Sequence, residues 1–144
     1  MDEAIRNRGY IYLKFQLYNE ALTDFNQAIE LNKKEGWYLY CRALAYQKLN
    51  QADKAQTDIY NAMKLAKESY DKDSKHWRNT FNLALYSLGA GKIQQAQKLY
   101  QYGLANHAPL EMIQMAMRDL NHFLLIIPGH VQAEAMRQLL QSTR

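Results

Sequence analysis

Residues that end helices are scarce in this sequence. It contains two prolines and six glycines among 144 residues. Because proline and glycine most often interrupt regular structure, so few of them favour long helices over a sheet with many turns. No segment sustains the alternation of apolar and polar residues that is typical of strands. The sequence therefore predicts an all-α fold, and its length predicts a single domain with a substantial core.

Cysteine and long apolar runs are also scarce. Cys41 is the only cysteine, so the chain has no internal disulfide, and its place in a predicted helix favours a buried thiol over a nucleophile. No stretch approaches the 18 uncharged apolar residues of a membrane span. The first residues lack the apolar core and cleavage site of a signal peptide. We therefore expect a cytoplasmic protein with no membrane contact.

Motifs of catalysis and metal binding are incomplete. The segment Gly-Ala-Gly-Lys at 89–92 is similar to part of a phosphate-binding loop, but Tyr86 and Ile93 stand where glycine and Ser or Thr are required. Asp71 and Asp73 have the spacing of a calcium loop, but the glycine and closing glutamate of that loop are missing. The four histidines show no pairing at i, i+4. We therefore expect no enzyme activity, no metal and no cofactor.

An internal repeat is the strongest pattern in the sequence. The segment 18–28 recurs at 52–62, at an offset of 34 residues, and again at 93–103, at an offset of 41. The longer offset indicates an insert of seven residues, about two helical turns, before the third copy. The matched positions carry small or large apolar residues: Gly9 with Ala43, Tyr12 with Tyr46, Ala21 with Ala55, Phe25 with Ile59, and Ala28 with Ala62. Such a period predicts stacked helix pairs.

On these residues the sequence resembles the tetratricopeptide repeat family, whose 34-residue unit carries small, aromatic, alanine, aromatic and alanine residues in this order. It departs from the family at Lys33, where proline is common, and at Ser87, where an aromatic residue is expected. The resemblance implies an α-α superhelix of about eight antiparallel helices. Its repeats would lie at about 2–35, 36–69 and 77–110, followed by a capping helix pair at 110–142. The individual helices are predicted at about 2–15, 18–31, 37–49, 52–70, 77–90, 93–106, 110–127 and 131–142.

The resemblance also implies where a partner would bind. In this family the first helix of each repeat faces an inner groove, and the corresponding positions in this chain are mainly aromatic and basic. Such residue types often anchor interfaces. The candidate partner contacts are Arg6, Tyr10, Trp37, Tyr40, Lys48, Arg78, Phe81 and Asn82. Only the basic ends match the subgroup that holds a peptide's terminal carboxylate, so we do not predict that ligand.

We therefore expect a non-catalytic protein–protein interaction module or adaptor that binds a peptide or helical segment in its concave groove. The net charge of +4 favours acidic partner segments. An alternative is the C-terminal sensing or scaffold region of a larger multidomain signalling protein or enzyme. In that case the uncapped first helix would dock on an upstream domain, or it would mediate self-association. Nucleic acid is disfavoured because basic and acidic residues are interspersed and no basic run exceeds two residues.

Overall fold

The computed structural model describes the backbone of residues 3–142 and the side chains of 7–9 and 11–142. Within that range it contains eight α-helices and no strand, which confirms the predicted all-α class. Each helix boundary lies within two residues of its predicted position. The helices are α1 (Glu3–Lys14), α2 (Tyr18–Leu31), α3 (Gly36–Lys48), α4 (Ala52–Lys72), α5 (Trp77–Gly89), α6 (Ile93–Ala105), α7 (Leu110–Ile126) and α8 (Val131–Gln141).

Contacts between the helices group the chain into two compact units, Met1–Leu65 and Ala66–Arg144. The first unit holds α1 to α3 and most of α4, and the second holds the end of α4 and α5 to α8. In the second unit α7 packs against α5, and α8 packs against α6. The superhelix, the repeat boundaries and the capping role of the last two helices stay predictions.

The turns inside the three predicted repeats share one backbone geometry. The residues with positive φ are Gln16, Asn50 and Gly91, at 59°, 60° and 80°. In each turn an amide donates to the carbonyl five residues earlier: Leu17 to Tyr12 at 3.0 Å, Gln51 to Tyr46 at 2.9 Å, and Lys92 to Ser87 at 2.8 Å. This pattern ends a helix and satisfies one of its last carbonyls. The spacings of 34 and 41 residues found in the sequence therefore have a counterpart in the backbone.

The first unit is packed around a close approach of α1 to α3 at Gly9. A Cβ atom there would lie 2.9 Å from Cys41 Sγ and 3.4 Å from Trp37 Nε1, so the approach depends on glycine. Tyr12 and Phe25 meet edge to face, with their ring centroids 6.4 Å apart. Cys41 is buried and unoxidised, as predicted.

The second unit has a similar close approach between α5 and α6. A Cβ atom on Gly103 would lie 2.6 Å from Cζ of Phe81, closer than real side chains pack. The departure at Ser87 is also accommodated here. The Ser87 hydroxyl donates to the carbonyl of Leu83 at 2.6 Å and accepts from the amide of Gln95 at 2.7 Å. The buried serine in place of an aromatic residue is therefore fully hydrogen-bonded.

Candidate functional site

The structure divides the eight predicted partner contacts into three groups. The side chains of Arg6 and Tyr10 lie outside the described residues. Three aromatic side chains are buried, with exposed fractions of 0%, 0% and 2%: Trp37, Tyr40 and Phe81. The other three reach the surface, because Lys48 is exposed and Arg78 and Asn82 are half-buried. Only this third group offers a surface to a partner in the structure as it stands.

The three buried aromatic residues have a packing role. In the first unit the rings of Trp37 and Tyr40 pack with their centroids 5.1 Å apart. In the second unit the ring of Phe81 stacks on Tyr100 at 6.0 Å, with 22° between the ring planes. Rings buried in this way contribute strongly to stability. Contact of these residues with a partner stays a prediction.

Arg78 and Asn82 lie one helical turn apart on α5 and therefore share one face of that helix. Nη1 of Arg78 and Oδ1 of Asn82 are both buried and have no hydrogen-bond partner among the described residues. Buried polar atoms are nearly always hydrogen-bonded, so an unpaired donor and an unpaired acceptor side by side require an explanation. We call these two residues the Arg78–Asn82 face.

The first turn of α5 is held in place from the side opposite the solvent. The Asn79 amide donates to the carbonyls of Ser69 and Asp73, each at 3.2 Å. The hydroxyl of buried Thr80 donates to the carbonyl of Ser74 at 3.2 Å. These bonds tie the helix start to the end of α4 and the loop that follows it. The neighbouring side chains of the same turn are thereby presented from a fixed backbone.

The electrostatic character of this turn is positive. No acidic residue occupies the first turn of α5, and the side chain of the N-cap residue His76 makes no capping hydrogen bond. The free amides of a helix start carry partial positive charge, to which Arg78 adds a full charge. The arrangement suits a ligand with a carbonyl or carboxylate oxygen near Arg78 and an N–H donor near Asn82.

Other chemistry is not assembled in the part of the chain that the structure describes. Between residues 7 and 142 no group of three or more His, Cys, Asp or Glu side chains is placed to hold a metal ion. No helix in the described range has both the length and the apolar character needed to span a bilayer.

Comparison with known proteins gives one limited similarity. No family model matches the sequence, and no solved structure matches it. Sperm-associated antigen 1 from Rattus norvegicus is 28% identical to the chain over 89 residues. The matched region covers 62% of this chain but only 9% of that protein. The rat protein contains tetratricopeptide repeats, so the match is compatible with repeats of this kind here.

Proposed function

We propose that the chain is a non-catalytic protein-interaction module that binds a short segment of another protein. The observation that carries this proposal is the buried, unpaired donor and acceptor of the Arg78–Asn82 face. The helical repeat-like fold and the weak similarity to a repeat-containing protein support it. Adaptor function and the absence of catalysis are parts of the same proposal.

The chemistry of the Arg78–Asn82 face fits the backbone of a peptide. Arg78 would donate to a carbonyl or carboxylate oxygen, and Asn82 would accept from an N–H group. Side chains one turn apart on a helix are separated by about 5–6 Å, and two residues of an extended chain span roughly 6.6 Å. One side chain can therefore reach each of two backbone groups on the same edge of a peptide. The net charge of +4 favours acidic segments.

A random peptide library displayed on phage, selected on the intact chain, tests this proposal. We expect enriched peptides whose affinity falls about tenfold or more in the double variant Arg78→Ala/Asn82→Ala, since two charge-assisted or buried hydrogen bonds are lost. The matched control is Asn61→Ala/Lys64→Ala, which removes an amide and a cation that are exposed on α4. Peptides that bind both double variants as they bind the wild type would refute the site.

A second proposal is that the chain forms the sensing or scaffold region of a larger protein in the cytoplasm. The matched relative favours it, because the 89 shared residues are only 9% of that protein. An antibody raised against the chain should then detect a native band far heavier than 16.9 kDa in the cytoplasmic fraction. A native band at 16.9 kDa would exclude this alternative.

A further inference from the structure

The end of α4 is longer than its counterpart in the first repeat. Helix α2 ends at Leu31, and the 34-residue offset would place the end of α4 at Leu65. Instead α4 continues to Lys72, so the seven-residue insert adds two helical turns to it. These added turns belong to the same compact unit as α5 and α6.

The added turns bring an aromatic residue against α6. The Tyr70 ring meets the Tyr102 ring edge to face, at a centroid distance of 6.5 Å, and Tyr102 in turn packs 5.8 Å from Trp77. All three rings are half-buried, so each keeps part of its surface in solvent. Half-exposed aromatic rings of this kind are typical of recognition surfaces, because they bury large area at a low cost in entropy.

A pocket of about 570 Å³ lies between the end of α4 and α6. We call it the insert pocket, and its lining residues are Tyr70, Gln94, Gln95, Lys98, Leu99 and Tyr102. The Gln95 amide is oriented by its hydrogen bond to the Ser87 hydroxyl at 2.7 Å. Its volume lies within the range of binding clefts.

The charges around the insert pocket select an anion. Lys98 is exposed and makes no ion pair with any described residue. The nearby carboxylate of Asp71 is already paired with Lys67 at 2.6 Å. Burial, together with the neighbouring Tyr102, raises the pKa of Tyr70, so its hydroxyl is a hydrogen-bond donor at neutral pH. A cationic ligand would be repelled by Lys98, whereas a carboxylate would gain both a charge partner and a donor.

We propose that the insert pocket is a second binding site, which takes a peptide segment that places a glutamate or aspartate beside a proline. The carboxylate would pair with Lys98, and the proline ring would lie on the exposed faces of Tyr70 and Tyr102. Proline-rich segments dock in aromatic grooves at low entropic cost, because their extended conformation is formed before binding. The site uses helices other than α5 and would exist even if the Arg78–Asn82 face bound nothing.

The test is a titration of the ¹⁵N-labelled chain, followed by NMR, with a capped peptide of alternating proline and glutamate residues. The expected result is a set of shifts centred on Tyr70, Lys98 and Tyr102, with affinity about tenfold lower in Lys98→Glu because like charges then oppose each other. Tyr70→Ala should weaken binding in the same way, and Tyr70→Phe should retain most of it because the ring remains.

Two controls make the result specific. Lys64→Glu reverses an equally exposed charge on α4 outside the insert pocket and should bind like the wild type. A peptide with lysine in place of glutamate should not bind. The proposal is overturned if millimolar peptide produces no shifts at the pocket, or if Lys98→Glu binds as well as Lys64→Glu. Shifts confined to α5 that vanish in Arg78→Ala/Asn82→Ala would overturn it while supporting the Arg78–Asn82 face.

Discussion

Arg42 and Asp58 form a two-pronged ion pair between α3 and α4, in which Nε and Nη2 donate to the two carboxylate oxygens at 2.7 and 2.8 Å. Asp58 is only 3% exposed, and the hydrogen bond with it raises the pKa of Arg42. Arg8 and Asp24, 34 residues earlier, form the same pair between α1 and α2 at 2.9 Å. The repeat therefore preserves a polar contact as well as the apolar positions, and it does so within the first unit.

The Arg42–Asp58 pair should be necessary only while one of its charges remains. Arg42→Leu leaves Asp58 buried without a partner and should lower the free energy of unfolding by about 3–5 kcal/mol. The third repeat carries Leu83 and Leu99 at the equivalent positions, and both are buried. The double variant Arg42→Leu/Asp58→Leu should therefore recover to within roughly 1 kcal/mol of the wild type. Urea unfolding measures all three, and a single variant as stable as the double variant would contradict this account.

Gly103 should tolerate no side chain. Its α-carbon faces the Phe81 ring, and a methyl group would lie 2.6 Å from that ring. Gly103→Ala should therefore destabilise the second unit by about 1–3 kcal/mol, although alanine is the better helix former. Thermal unfolding measures the effect. Adding Phe81→Leu should relieve part of the clash, and a Gly103→Ala variant more stable than the wild type would show that α5 and α6 pack differently.

Tyr100 predicts a loss of stability in alkaline solution. Burial, assisted by the charge of Asp119, raises the pKa of the Tyr100 phenol well above its ordinary value of 10.0. Above pH 10 the unfolded chain releases this proton while the folded chain retains it, so the free energy of unfolding should fall as pH rises. Tyr100→Phe should show a shallower fall between pH 9 and 11 in denaturant titrations, whereas Tyr18→Phe, at the start of α2, should keep the wild-type slope. Equal slopes in all three chains would contradict the assignment.

The helices and turns were largely predictable from the sequence, because they depend on local patterns. The small residues at Gly9, Ala21 and Ala55 mark close crossings that recur at a fixed spacing. The continuation of α4 was predicted as far as Tyr70, since the apolar period runs unbroken through the insert. These features need no knowledge of distant contacts.

The candidate site was less predictable, because helical position does not distinguish a groove from a core. Trp37 and Phe81 occupy positions that the family resemblance directs into a groove, yet both are buried. The sequence carries no signal for this difference, which depends on how deeply neighbouring helices cover each ring. Tyr102 was also missed, since its place in the insert pocket depends on a residue 32 positions earlier, Tyr70.

The burial of Trp37 changes what its replacement would measure. A fully buried tryptophan truncated to alanine should lose about 3–5 kcal/mol of stability, whether or not it contacts a partner. Circular dichroism melts should therefore show a large drop for Trp37→Ala. A melting temperature close to that of the wild type would show that the ring is exposed in solution and available for binding.

The central claim, that the Arg78–Asn82 face is kept for binding, is tested most directly by one variant measured in two ways. Asn82→Leu removes a buried, unpaired acceptor, so the free energy of unfolding should rise by about 1 kcal/mol. In the same variant the affinity for peptides selected on the wild type should fall about tenfold, because the acceptor for the peptide N–H is gone. Opposite changes in stability and affinity are the predicted result. A variant that is less stable than the wild type and binds those peptides equally well would contradict the claim.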